Sequence, residues 1–196
     1  MIDTLILSGG GLNSICILPF LKQLINHNTI DLKKIKNIIC VSGSAYFIIP
    51  FLLGISIDAS IKLALDFNKD LININDLSFN TMMEDYGFFS NEFFLDYLTS
   101  ILKGFNCDEN ITLKQLYDKT NINFVIKVSN ITKNEIEYLN HKNNPDLQVK
   151  KAILMTTAIP ILFKPIQHND NYYVDGAYSG NFPIEYAKKN KYNNYI

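Results

Sequence analysis

The sequence has 196 residues, 47% of them hydrophobic and 19% charged, with a net charge of -1. That length builds a full apolar core in one domain without help from disulfides or metal, and the charge balance argues against a nucleic-acid binder, which carries a basic face. All 18 basic residues are lysine, which removes bidentate arginine clamps for phosphate or carboxylate.

Three cysteines, Cys16, Cys40 and Cys107, have no framework spacing, so a reducing compartment is the simplest reading. The chain begins Met1-Ile2-Asp3, without the basic segment that opens a signal peptide. The longest apolar stretch, 45–57, is interrupted by Pro50 and Gly54 and is too short to span a bilayer. A cytoplasmic location, peripheral to a membrane at most, is expected. Three scattered Cys and three scattered His offer no metal-ligand spacing, and no cofactor is called for.

In chain order, residues 4–7 read as a short buried strand. Ser8-Gly9-Gly10-Gly11 is a loop. Helical spacing over 12–26 follows, with Ile15, Leu18, Leu21, Leu24 and Ile25 on one face and a kink expected at Pro19, some two turns in. Residues 37–41 form a second strand. Strand, helix, strand makes a βαβ unit with a right-handed crossover; its sheet carries helices on both faces and gathers ligands at the strands' carboxyl ends.

The second strand runs into Val41-Ser42-Gly43-Ser44-Ala45-Tyr46, and a buried helix leaves it over 45–53. A helix over 57–69 is capped by Ser56 or Asp58. Residues 75–89 read as irregular. Ser90 caps a helix over 91–103, and Thr112 caps one over 112–117. Residues 123–130 alternate and pair with 135–139 as a hairpin. Residues 147–156 are helical, 166–167 and 172–174 are strands around a turn at Asn169-Asp170-Asn171, and Pro183 opens a final helix. The pairs Met82-Met83, Phe88-Phe89 and Phe93-Phe94 suit core packing better than a lipid-facing rim.

Three stretches carry chemistry. The glycine loop leaves backbone N–H groups exposed at a helix start, which suits an anion or the oxyanion of an acyl-transfer intermediate. It also half-matches a dinucleotide fingerprint, Gly9-x-Gly11-x-x-Ser14, without the third glycine. A tight turn with no ligand is equally compatible. Second, strand, small residues, serine and helix form the layout of a nucleophile elbow, with Ser44 as candidate nucleophile. Ser42 and Tyr46 then stand where G-x-S-x-G has its glycines. Third, Tyr173-Val174-Asp175-Gly176 ends a strand on an aspartate followed by a residue that turns freely. Asp175 is the candidate base for the serine. No histidine follows Asp175, where an α/β-hydrolase triad would place one, so a Ser-Asp dyad is the acyl-transfer arrangement with support.

The order of these stretches resembles the patatin-like phospholipase family: a Gly-Gly-Gly loop after the first strand, a serine elbow, and a late Asp-Gly. Residues 152–165, AILMTTAIPILFKP, are similar to that family's A-x-x-A-S-x-A-I-P-x-x-F-x-P. Asp175-Gly176-Ala177, followed by Asn181-Phe182-Pro183, resembles its D-G-G/A and N-x-P. The resemblance implies a single α/β domain over 1–196, three-layer α/β/α with a mostly parallel central sheet. It implies metal-independent hydrolysis of lipid acyl esters at a membrane or lipid-droplet surface. It assigns Ser44 as nucleophile, Asp175 as base, and Gly9, Gly10 and Gly11 as the oxyanion loop, with Gly10 and Gly11 lending N–H groups.

The family's loop is usually G-G-G-x-R/K-G; here Asn13 replaces the basic residue and Ser14 the last glycine. Tyr46 is also placed to fill an acyl pocket. These departures leave a second expectation open: a catalytically impaired scaffold that binds lipid or a protein. The family usually continues with another strand and helix, so 192–196 is expected to begin that strand and the domain to be short at its C-terminal end.

Overall fold

In a computed structural model, which describes residues 2–66, 87–89 and 92–196, the first apolar run forms β1 (Thr4–Leu7), buried throughout. The glycine loop leads into a 3-10 turn, Gly11–Cys16, and then α1 (Ile17–Asn26). One helix from Leu12 with a kink at Pro19 was expected. Instead the α-helix begins at Ile17, so Pro19 falls in its first turn. There a backbone N–H has no intrahelical acceptor, and proline costs little.

β2 (Asn37–Val41) lies parallel to β1, Leu7 opposite Cys40. The apolar helix expected over 45–53 is broken into α2 (Gly43–Phe47) and α3 (Ile49–Leu52). Pro50 has no N–H to continue the ladder and falls in the first turn of α3. α4 (Ile57–Leu65) starts at Ser56, whose hydroxyl accepts the Ala59 N–H. β3 (Gly87–Phe89) and α5 (Glu92–Gly104) follow. α6 (Leu113–Thr120) opens with a reciprocal capping box between Thr112 and Gln115. β4 (Asn123–Asn130) and β5 (Glu135–Leu139) form the expected antiparallel hairpin.

The chain closes with α7 (Val149–Thr157), β6 (Ile161–Phe163), β7 (Ile166–His168), β8 (Asn171–Asp175), a 3-10 turn Gly176–Ser179, and α8 (Ile184–Lys189). β6, too short to show a period, pairs with β3 away from the main sheet. The stretch 75–89 was expected to be irregular, but Gly87–Phe89 form a strand because they pair with β6, which is distant in sequence; 75–86, with Met82-Met83, and the Ser90 cap lie outside the described residues, as do the side chains of Phe88, Phe89, Phe93 and Phe94.

The main sheet runs β1-β2-β4-β8-β7, parallel from β1 to β4 and antiparallel beyond, with β5 also on β4. Successive residues point to opposite faces, and both faces are covered. Leu5, Leu7, Ile38, Cys40, Phe124, Ile126 and Val128 join a large core with most of the helices. Ile6, Ile39 and Val125 pack on Ala187 of α8. This is the three-layer α/β/α arrangement with a mostly parallel centre. Residues 194–196 run beside β1, where Thr4 and Tyr195 form a parallel bridge.

One detail of the register positions everything that follows. β2 pairs with β4 up to Val41 opposite Lys127. β8 pairs with β4 from Tyr173 opposite Asn130 to Asp175 opposite Val128. β5 occupies the other edge of β4 over the same residues, so β2 and β8 share one edge and meet end to end. Their carboxyl ends, Val41 and Asp175, face adjacent residues of β4.

Candidate active site

That meeting brings a hydroxyl and a carboxylate together, but the hydroxyl belongs to Ser42. Ser42 Oγ donates to Asp175 Oδ2 at 2.6 Å, and the two residues are 4% and 3% exposed. Ser42 is the first residue past β2 and holds φ 59°, ψ -140°. L-residues rarely adopt that region, at a cost of about 1–3 kcal/mol. It is a strained strand-to-helix turn, the backbone layout that a nucleophile elbow has.

Ser44, expected at this position, is elsewhere. It lies inside α2, fully buried. Its Oγ is 2.7 Å from the Val41 carbonyl and 3.3 Å from the Leu7 carbonyl, and accepts the Val41 N–H at 3.1 Å. It ties the ends of β1 and β2 together and makes no contact with Asp175. The reason is geometric. β2 ends at Val41, so the turn falls on the next residue, and a residue two further on is already helical and points inward. The sequence did hold the signal: the strand end at Val41, with the small Gly43 following Ser42. Read from Ser42, the elbow is Cys40-Val41-Ser42-Gly43-Ser44, with Cys40 and Ser44 in the glycine positions of G-x-S-x-G.

Asp175 sits where it was expected, at the end of β8. Its second carboxylate oxygen accepts the Ala177 N–H at 2.8 Å, and its own N–H donates to the Ala158 carbonyl at 2.9 Å. Burial pushes its carboxyl above the ordinary aspartate range. The Ser42 hydroxyl, the Ala177 N–H and the charge of Lys127 pull the other way without cancelling the rise. Gly176 is required by contact: a Cβ there would lie 2.2 Å from the Lys127 carbonyl oxygen. Lys127, nearly buried, gives its ammonium to the Ser179 and Gly180 carbonyls, and burial lowers its own pKa.

The glycine loop lies against the same turn. Of its three glycines, Gly9 does not offer its N–H, which donates to the Asn181 carbonyl at 3.3 Å, while the Asn181 side-chain amide donates back to the Gly9 carbonyl at 3.0 Å. Among the described residues, the Gly10 and Gly11 N–H groups have no hydrogen-bond partner. Gly43 packs so closely on the loop that a Cβ there would meet the Gly11 carbonyl oxygen at 2.2 Å. Gly11, Ser42 and Gly43 border a cavity of about 190 Å³ that is otherwise walled mostly by apolar side chains, among them Leu12, Tyr46, Phe47, Ile159 and Phe163. Tyr46 forms one wall, stacked on Tyr97 with ring centroids 5.1 Å apart, and does not fill the space. Leu162 also lines the cavity and is 40% exposed, and its chain neighbour Ile161 is 61% exposed.

The histidines lie apart from this site. His27 follows the end of α1, His141 stacks flat on Tyr117, and His168 ends β7 beside Asn169.

Comparison with known proteins bears on the family and the fold. Over 96% of its length the chain is 32% identical to "Probable lipid hydrolase 463L" of Invertebrate iridescent virus 6, covering 66% of that protein. Over 93% it is 26% identical to "Uncharacterized protein R571" of Acanthamoeba polyphaga mimivirus, covering 60% of it. The chain thus spans about two thirds or less of the length of these relatives. Its fold matches the crystal structure of VipD from Legionella pneumophila with a TM-score of 0.64 at 15% identity, over 92% of this chain and 47% of that one. The family model for patatin-like phospholipase matches residues 5–188, nearly the whole of what has been described, and the chain belongs to the patatin-like phospholipase family.

Proposed function

We propose that this protein is a serine acyl hydrolase acting on lipid esters, with Ser42 as nucleophile and Asp175 as its general base. The observation that carries the reading is the 2.6 Å hydrogen bond between Ser42 Oγ and Asp175 Oδ2 beside an apolar cavity. A serine hydroxyl is a weak nucleophile until a base takes its proton. Asp175 is already the acceptor of that proton, and its dry setting makes it a stronger base than an exposed aspartate.

In the forward step Ser42 Oγ attacks the ester carbonyl carbon while its proton passes to Asp175. The carbonyl oxygen becomes an oxyanion beside the Gly10 and Gly11 N–H groups, joined by the Gly43 N–H next to the nucleophile. Collapse of this intermediate expels the alcohol, which takes the proton from Asp175 and leaves an acyl-Ser42 ester. Water, deprotonated by Asp175, then attacks that ester, and collapse releases the fatty acid as the proton passes from Asp175 to the departing Ser42 Oγ, restoring both residues. The backbone N–H of Ala177 keeps the carboxylate oriented through both half-reactions.

The cavity walls suit an acyl chain rather than a polar head group. The exposed Leu162, which lines the cavity, and its exposed neighbour Ile161 suit a substrate presented at a membrane or lipid-droplet surface. Unpaired Cys16, Cys40 and Cys107 fit a reducing, cytoplasmic setting. Among the described residues no helix is long and apolar enough to cross a membrane.

The test is hydrolysis of a short p-nitrophenyl ester and of a labelled phospholipid, together with labelling by a fluorophosphonate. Wild type is expected to turn over ester and to label at Ser42, and Ser42→Ala to do neither. Equal rates in both proteins would reject the assignment. A well-folded wild type that neither labels nor hydrolyses would favour the non-catalytic scaffold.

A further inference from the structure

We propose that Thr156 is a positioning residue for the Ser42–Asp175 pair, holding the backbone of Ser42 in its strained turn; the proposal rests on the reading of Ser42 as nucleophile. Thr156 lies in the last turn of α7 and is fully buried. A helical threonine commonly turns its hydroxyl back to the carbonyl four residues earlier, as its neighbour Thr157 does to Ile153. Thr156 instead points at the sheet.

The Thr156 hydroxyl donates to the Lys127 carbonyl at 2.6 Å and accepts the Ser42 N–H at 2.8 Å. A hydroxyl has a single proton. Donating it to Lys127 leaves a lone pair for Ser42, so the direction of the relay is determined. The relay fixes the peptide N–H of the residue whose φ of 59° is otherwise unfavourable. Without the acceptor, the buried Ser42 N–H is left unsatisfied at φ 59°, and the turn is free to relax toward negative φ. That rotation carries Oγ away from Asp175.

The same end of α7 holds the other partner. Two residues on, the Ala158 carbonyl accepts the Asp175 N–H. One helix end therefore grips the backbone of both residues, and β4 backs it through Lys127. The Thr156 hydroxyl bonds the Ser42 N–H and the Lys127 carbonyl, not the Ser42 Oγ or the carboxylate, which separates its role from theirs.

The experiment compares Thr156→Ser, Thr156→Ala and Thr156→Val in the full chain. Soluble-ester kinetics are expressed per fluorophosphonate-titrated site, with a thermal melt beside them. Thr156→Ser keeps the relay and is expected to retain kcat within about threefold, whereas Thr156→Ala and Thr156→Val lose about 100-fold in kcat, the scale of an ångström of misplacement. KM stays within about twofold, because the cavity walls are unchanged. In Thr156→Ala the acid limb of kcat/KM also moves to higher pH, since the Ser42 hydrogen bond no longer lowers the Asp175 pKa; a merely structural role would not move it.

Should Thr156→Val fail to fold, the serine and alanine variants, both lacking the methyl, still decide. Equal kcat per titrated site in those two overturns the proposal, whatever their melting temperatures. Ser42→Ala keeps the two readings distinguishable. Activity in Ser42→Ala rejects the nucleophile itself, while a dead Ser42→Ala beside a fully active Thr156→Ala rejects only the positioning role.

Discussion

Ser44→Ala is expected to keep the chemistry and lose stability, the opposite of Ser42→Ala. The Ser44 hydroxyl accepts the Val41 N–H and donates to the Val41 carbonyl in a fully buried site. Removing it takes away that acceptor and leaves no room for water in its place. A buried group stripped of its partner costs about 1–3 kcal/mol. For a chain of this size each kcal/mol lowers Tm by about 2–4 °C, so the expected fall is about 2–12 °C. Ser42 Oγ and Asp175 are untouched by the change, so ester turnover at a temperature well below the melt should stay within about threefold of wild type. The assay pairs a thermal melt with p-nitrophenyl ester hydrolysis and fluorophosphonate labelling mapped to a peptide. Loss of labelling in Ser44→Ala with an unchanged melting temperature would refute the reasoning and return the nucleophile to position 44.

Further outcomes follow from the same geometry. As the proposed base, Asp175 would act only when ionised, and burial raises its pKa, so kcat/KM should fall at a higher pH than an exposed aspartate would give. Lys127→Met removes a charge that holds that pKa down, and the acid limb should move higher still in a pH–rate profile. Gly43→Ala places a Cβ 2.2 Å from the Gly11 carbonyl oxygen. It should displace the loop and lower kcat by about 100- to 1000-fold, the cost of a lost oxyanion donor, with Ser42 still in place by crystallography.

What was legible in the sequence was local. The βαβ start follows from two short apolar runs flanking a 3.6-residue period, and the antiparallel hairpin of β4 and β5 from Phe124, Ile126 and Val128 recurring at every second position before a polar turn. Asp175 could be placed because a strand, an aspartate and a glycine follow one another without a gap. The proposed nucleophile could not, because Ser42 and Ser44 are both small hydroxyl residues in one turn, and with Cys40 and Ser44 standing where glycines would, the motif matched poorly in either register. What separates the two serines is which one takes φ 59°. That is set by where β2 stops against β4, a pairing with residues more than eighty positions away. The Thr156 relay was invisible for a similar reason: it joins α7, β2 and β4 through one side chain, and although the family pattern has serine where Thr156 stands and any residue where Thr157 stands, it does not say what that hydroxyl holds. The glycine loop, the proposed oxyanion loop, was legible as a loop, but only its contact with Asn181 removes Gly9 from the available donors.

The end-to-end meeting of β2 and β8 along β4 has a consequence for how such a site tolerates change. Ser42 and Asp175 are 133 positions apart in the chain, yet their separation in space is measured off by a single peptide unit of a third strand, Lys127–Val128. β4 serves as a ruler laid beneath both. Insertions or deletions in the stretches between them change the length of the path but not the gap, so long as the two ladders keep their register. The working distance is therefore most vulnerable to a slip of one residue in either ladder, which would turn one of the two side chains to the opposite face of the sheet.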